Sequence, residues 1–179
     1  LFIAKLYIGD QVELIEEDLF GVGNDRFPKN KPMLTSVYLG DGITKIGESA
    51  FAHCELQEIR WGKSITQICK NAFRSCQIKK LDLRQLPLER IEQEAFMVSR
   101  VETAMFPPSL QYIGDEAFAH SPIKVLDLSN TKVQCIGTNA FNMCWNLTKI
   151  VWPDTIRRID PGAFNSTKLD YVRLPQSVN

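Results

Sequence analysis

Residues 113–118 read Ile113-Gly114-Asp115-Glu116-Ala117-Phe118, and their frame of isoleucine, three variable residues, alanine and phenylalanine organises the whole chain. It returns at 46–51, 68–73, 91–96, 136–141 and 159–164; residues 15–20 are a further copy, with Leu19 in the alanine place. The alanines at 50, 72, 95, 117, 140 and 163 are separated by 22, 23, 22, 23 and 23 residues. A fixed period in this range marks a solenoid, whose units stack on one another and do not fold alone.

Three residues before each isoleucine stands an aliphatic ladder: Val12, Ile43, Ile65, Leu88, Leu110, Val133 and Ile156. Earlier still an alternating apolar pair ends, as in Leu6 and Ile8, Val37 and Leu39, Ile59 and Trp61, Leu81 and Leu83. The series continues with Ala104 and Phe106, Leu126 and Leu128, Ile150 and Trp152, Val172 and Leu174. Period-two alternation predicts a half-buried strand. Proline or glycine often follows, as at Gly40, Gly62, Pro107, Pro153 and Pro175, and punctuates the strand end. One strand per unit, all in the same sense, predicts a parallel sheet with strands ~4.8 Å apart. The second ladder predicts a short extended segment on another face. The Ala-Phe step predicts a tight turn or one turn of 3₁₀ or α-helix, with the phenylalanines stacked as an aromatic spine.

The whole chain, 1–179, thus reads as one domain of about seven 22–23-residue units. From Phe73 to Leu81 is eight residues, but from Phe20 to Val37 is seventeen. Residues 21–35 are therefore read as an inserted surface loop. The repeat is already in register at the first residues and stops mid-unit, which is the expectation for part of a longer chain.

Twenty-one basic residues balance twenty-one acidic ones. Nothing in that balance suggests a nucleic-acid footprint, which would need a basic patch or stripe, and no nucleic-acid partner is expected. No apolar run approaches the ~20 residues of a membrane span, so direct membrane insertion by this segment is not expected.

The unit, read as Leu-x-x-Ile-x-Leu-Pro-x-x-Ile-x-x-Ile-Gly-x-x-Ala-Phe-x-x-Cys, resembles the BspA-like, or Treponema pallidum-type, class of leucine-rich repeats. The likeness extends over nearly the whole chain. It departs at Cys69, Glu92 and Asp160, which stand where the unit has glycine. The resemblance implies a leucine-rich-repeat solenoid, mostly β, right-handed, with its parallel sheet on the concave face. It also implies a setting: members are found largely on bacterial and protist surfaces, and several are adhesins toward host proteins such as fibronectin or toward other cells. The matching positions are scaffold positions, so they carry over a fold and no binding residues.

Candidate chemistry is sparse. Cys54, Cys76 and Cys144 lie three residues after the phenylalanine, where other units carry Ser99, Ser121 and Thr167. A small, weakly polar side chain there is expected to tuck inward and bond the neighbouring backbone. Adjacent units place Cys54 and Cys76 within the roughly 4.4–6.8 Å Cα range of a disulfide, but ladder side chains point in parallel, which suits bridging poorly. With Cys69 and Cys135 the total is five, there is no Cys-x-x-Cys, and reduced thiols are expected. His53 and His120 share a repeat position three units apart, so ~14–15 Å separates them at the strand spacing and one metal ion cannot bridge them. Glu48, Glu92, Glu94, Asp115 and Glu116 read as a solvated turn face. No phosphate loop, nucleophile elbow or zinc-binding His-Glu-x-x-His occurs, and no catalytic residue, metal or cofactor is assigned. Two Asn-x-Thr triplets, at Asn146 and Asn165, are compatible with a secreted eukaryotic protein.

The outward strand residues are the candidate partner-binding face: Tyr7, Tyr38, Arg60, Asp82, Met105, Asp127, Val151, Tyr171 and Arg173. Tyrosine, arginine and methionine are enriched at protein interfaces. Tyr38, Arg60, Met105 and Tyr171 are the expected anchors. The expected function is non-catalytic protein binding, as the ligand-binding repeat region of an adhesin-like protein at the cell surface or outside the cell, toward a host, matrix or cell-surface protein. The alternatives are a cytoplasmic scaffold or regulatory segment, which free thiols would suit, and a structural spacer.

Overall fold

A computed structural model of the chain describes residues 4–20 and 33–178. Most of the expected insertion, residues 21–32, lies outside the described residues. Each unit contributes two short strands. The three-residue set is β1 (Lys5–Tyr7), β3 (Ser36–Tyr38), β5 (Glu58–Arg60), β7 (Lys80–Asp82), β9 (Thr103–Met105), β11 (Val125–Asp127) and β13 (Lys149–Val151). The two-residue set is β2 (Leu14–Ile15), β4 (Lys45–Ile46), β6 (Gln67–Ile68), β8 (Arg90–Ile91), β10 (Tyr112–Ile113), β12 (Cys135–Ile136) and β14 (Arg158–Ile159). All pairings are parallel, in the register the repeat dictates, so Ile15, Ile46, Ile68, Ile91, Ile113, Ile136 and Ile159 align. The fold is a leucine-rich-repeat solenoid.

Between the strands the six-membered rings stack. Phe20, Phe51, Phe73, Phe96, Phe118, Phe141 and Phe164 follow one another at 5.3–5.6 Å with ring planes 3–12° apart. Phe51 to Phe141 in this series are fully buried, as are their alanine neighbours. This is the expected spine, and its burial is the main stabilising term.

Of the forms predicted for the Ala-Phe segment, the tight turn is the one adopted: among the described residues it contains no 3₁₀ or α-helix. The reason lies in where its amides point. Ser49, Phe51 and His53 donate N–H forward to the carbonyls of Lys70, Ala72 and Arg74 in the next unit (2.9, 2.9 and 2.7 Å), while Ala50, Ala52 and Cys54 donate back three residues. Half of the amides are thus committed to the neighbouring unit and unavailable to a helix. Aiming them forward requires left-handed backbone at two places per turn. Residues before the alanine (Asp18, Ser49, Asn71, Glu94, Glu116, Asn139) and two after the phenylalanine (His53, Ser75, Val98, His120, Met143, Ser166) have φ of 53–62°. Gly162, at φ 73°, occupies the first of these places in its unit.

The two sets of strands behave differently. The two-residue strands form one seven-stranded sheet, β14-β12-β10-β8-β6-β4-β2. The three-residue strands, expected as one sheet, form three: β1-β3-β5, β7-β9 and β11-β13. Each break follows a unit that ends its strand with an aromatic residue. Trp61 stands edge-on to Phe73 of its own unit at 5.5 Å, and Phe106 to Phe118 at 5.8 Å, where Leu39, Leu83 and Leu128 occupy the same place in the other units. Each break also precedes a lengthened turn. Leu83 to Leu88 and Leu128 to Val133 are five residues, against four from Trp61 to Ile65 or Phe106 to Leu110. The extra residue buries Leu86 in one unit and Thr131 in the other. An eighth strand was expected at Val172 and Leu174, and the structure corrects this. Residues 171–174 form no strand, and both side chains are exposed. They too follow an aromatic strand end, Trp152, which is edge-on to Phe164 at 5.8 Å.

Candidate partner-binding face

The nine predicted face residues fall into four groups. β1, β3 and β5 bring Tyr7, Tyr38 and Arg60 into one row, in register. The Tyr7 and Tyr38 rings stack at 4.4 Å, 8° from parallel, with Tyr7 70% exposed. Two stacked phenols beside a guanidinium present flat, preorganised contact area with little side-chain entropy left to lose. Next to them runs a groove of about 720 Å³ that also takes in Trp61, Lys63 and Gln85. The sequence had placed Trp61 wholly inward, and gave no signal for Lys63 or Gln85. The rim is held in place: Asp41 accepts from Lys63, and its backbone N–H donates to the Asp10 carboxylate at 2.8 Å. The Lys63 ammonium holds the Asp41 carboxyl below its usual range.

Asp82 and Met105 pair across β7 and β9, and Asp127 and Val151 across β11 and β13. Both carboxylates are already occupied. Asp82 accepts from the Arg84 side chain at 2.9 and 2.7 Å and from its backbone N–H at 3.2 Å. Asp127 accepts from the Ser129 N–H and hydroxyl at 3.0 and 2.7 Å. These are turn-forming bonds two residues on, which compete with ladder pairing. They lower both carboxyl pKa values, Asp82 chiefly through the Arg84 side chain and Asp127 through the Ser129 hydroxyl. Tyr171 and Arg173 line a hollow of about 320 Å³ with Trp152 and Lys149, away from the tyrosine row.

Three of the cysteines are inward-facing thiols. Cys54, Cys76 and Cys144 donate to the carbonyls of Phe20, Phe51 and Phe118 at 3.2–3.4 Å, and Ser121 does the same to Phe96. Burial pushes the Cys144 thiol up to about 12, which suppresses its thiolate and its reactivity. Among the described residues, Cys69, Cys135 and Cys144 are free thiols. His53 and His120 are half-buried turn residues in left-handed backbone. Of the acidic turn residues, Glu94 pairs with Arg74, Glu92 with Arg90, and Asp115 accepts from the Thr138 N–H. Among the described residues, no three His, Cys, Asp or Glu side chains gather as a metal site, and no helix is long and apolar enough to cross a membrane.

Comparison with solved structures gives two neighbours of the fold. A leucine-rich repeat protein from Bacteroides ovatus is 20% identical, with a TM-score of 0.50 over 82% of this chain and 44% of its own. The pneumococcal vaccine antigen PcpA is 16% identical, with a TM-score of 0.51 over 97% of this chain and 61% of its own. The chain therefore spans about half the length of these proteins, and the likeness is one of fold. Comparison with curated proteins returned no match. The family model described as BspA type leucine rich repeat region matches residues 20–133 and 85–179, in six copies, and the chain belongs to that family.

Proposed function

We propose that this region is a non-catalytic protein-recognition module, the ligand-binding repeat region of an adhesin-like protein displayed at the cell surface or outside the cell. The observation that carries it is the stacked Tyr7–Tyr38 pair with Arg60 in register beside it. A tyrosine and arginine row fixed on paired strands, with Tyr7 and Arg60 exposed and Tyr38 half-buried, has the profile of an interface anchor. Membership of the BspA type family supports the reading, since repeat solenoids of this kind offer extended binding surfaces. Met105 and Tyr171 remain secondary contacts in this proposal, because neither adjoins the tyrosine row. Asp82 and Asp127 serve their own turns first.

The test is surface plasmon resonance on immobilised fibronectin and other matrix proteins, with wild type and Tyr38→Ala/Arg60→Ala. Loss of about tenfold or more in affinity, with an unchanged melting temperature, supports the site. Equal binding by both proteins discards it. The second reading, a cytoplasmic scaffold, is favoured by the free thiols of Cys69, Cys135 and Cys144; a stable fold only under reducing conditions would turn the choice toward it.

A further inference from the structure

A second groove lies on the turn face, away from the tyrosine row. It measures about 610 Å³ and is lined by Val98, Arg100, His120, Met143 and Trp145, with Lys79 at one end. Its apolar part is exposed for a reason visible in the chain. Phe118 to the strand residue Leu126 is eight residues, but Phe141 to its counterpart Ile150 is nine. The extra residue falls in the turn at 145–146 and lifts Trp145 off the stack. The indole is 58% exposed and stands edge-on to His120 at 6.1 Å.

Val98 adds an independent sign. It is a β-branched residue in left-handed backbone, φ 58°, and is 46% exposed. Such a residue costs roughly 1–3 kcal/mol there, and so exposed a side chain recovers little of it by burial.

Charge sets the partner. The Glu102 carboxylate is answered by Lys124 at 3.4 Å. Among the described residues no ion pair engages Lys79 or Arg100, so the groove keeps two unanswered cations. The adjoining hollow, which Lys79 and Arg100 also line, adds Lys80 and carries only Glu55 and Glu58, so it too keeps an excess of positive charge.

We propose that the turn-face groove binds an extended peptide segment of a partner protein, with acidic side chains at Lys79 and Arg100 and a bulky apolar side chain against Trp145, Met143 and Val98. A cation beside an aromatic ring also suits an anionic glycan. The aliphatic Val98 and Met143 favour the peptide, because they offer a sugar hydroxyl no partner. This site is separate from the strand-face reading and stands if that reading fails.

The experiment is selection of a random dodecapeptide phage library on the wild-type protein, counter-selected on Arg100→Glu/Trp145→Ala. Both residues are exposed, so the double variant should melt as the wild type does; Lys79→Glu/Arg100→Glu is the substitute if it does not. Groove-dependent clones should be acidic with at least one bulky apolar residue. Synthetic copies should bind about tenfold less tightly to the variant, less tightly at high salt, and equally well to Tyr38→Ala. No groove-dependent enrichment, basic or neutral consensus sequences, or binding lost in Tyr38→Ala would overturn the proposal. So would binding of a sialylated oligosaccharide that survives competition by the selected peptides.

Discussion

The two strand faces of this solenoid are built from the same units, yet one is continuous and the other is not. The two-residue strands run unbroken through all seven described rungs, whereas the three-residue strands stop after β5 and again after β9. The rungs of the continuous face carry one inward isoleucine each, the same residue every time. The broken face alternates: Leu39, Trp61, Leu83, Phe106, Leu128, Trp152. Uniform side chains let hydrogen bonds set the spacing. Alternating leucine and aromatic residues let packing set it, and the wide residue wins over two or three edge bonds. The comparison teaches that the true structural period of the broken face is two units.

The largest effect expected is common to both faces. Phe96→Ala should cost ~3–5 kcal/mol, because the ring is fully buried between two others at 5.3 and 5.4 Å. A chemical denaturation curve measures it, and a loss below about 1 kcal/mol would mean the spine is not the core.

Trp61→Leu separates the two causes of the first break. It should lose about 1–3 kcal/mol through reduced burial. If the aromatic wedge holds β5 and β7 apart, the residue 61 amide should gain hydrogen-exchange protection, as the counterpart of the Leu39 N–H that bonds Arg60 at 2.8 Å. Unchanged exchange would assign the break to the lengthened turn after Leu83.

Val98→Asn probes the turns. Asparagine tolerates left-handed backbone, so the variant should be more stable by about 1 kcal/mol, read as a raised melting temperature. A lowered one would show that the valine side chain contributes packing beyond its strain.

The smallest effect is the pH dependence of the broken face. The Asp82 and Asp127 carboxyls are held below their usual 3.8 in the folded state. A depressed carboxylate stabilises the fold above its unfolded pKa, and that contribution fades as pH falls through the folded value. The loss should therefore be confined to the acid side of about pH 4, and be small because both groups are largely solvated. Asp82→Asn/Asp127→Asn should flatten it in an acid titration of stability.

Much of this was legible in the chain. Repeating isoleucine, alanine and phenylalanine gave the two ladders, the spine and the register, because each is a buried position with no alternative partner. The inward thiols followed from sharing a place with serine and threonine. What escaped was set by differences between units. The breaks at Trp61 and Phe106 depend on side-chain volume against the next rung, which a consensus averages away. The left-handed turn residues were invisible because Ser, Asn, Glu, His and even Val fill places where glycine would be the signal. On the candidate face, the tyrosine row was correctly brought together by strand alternation. The loss of Asp82 and Asp127 to their own turns was not foreseen, since it depends on what stands two residues later.

The interruptions also bear on how the solenoid can bend. On one side the stack is bound rung to rung like the spine of a book; on the other it is bound in groups of three, two and two strands. Elastic bending about the unbroken side can therefore widen the gaps after Arg60 and Met105, where no strand pairing ties one rung to the next, so the curvature of that face can adjust.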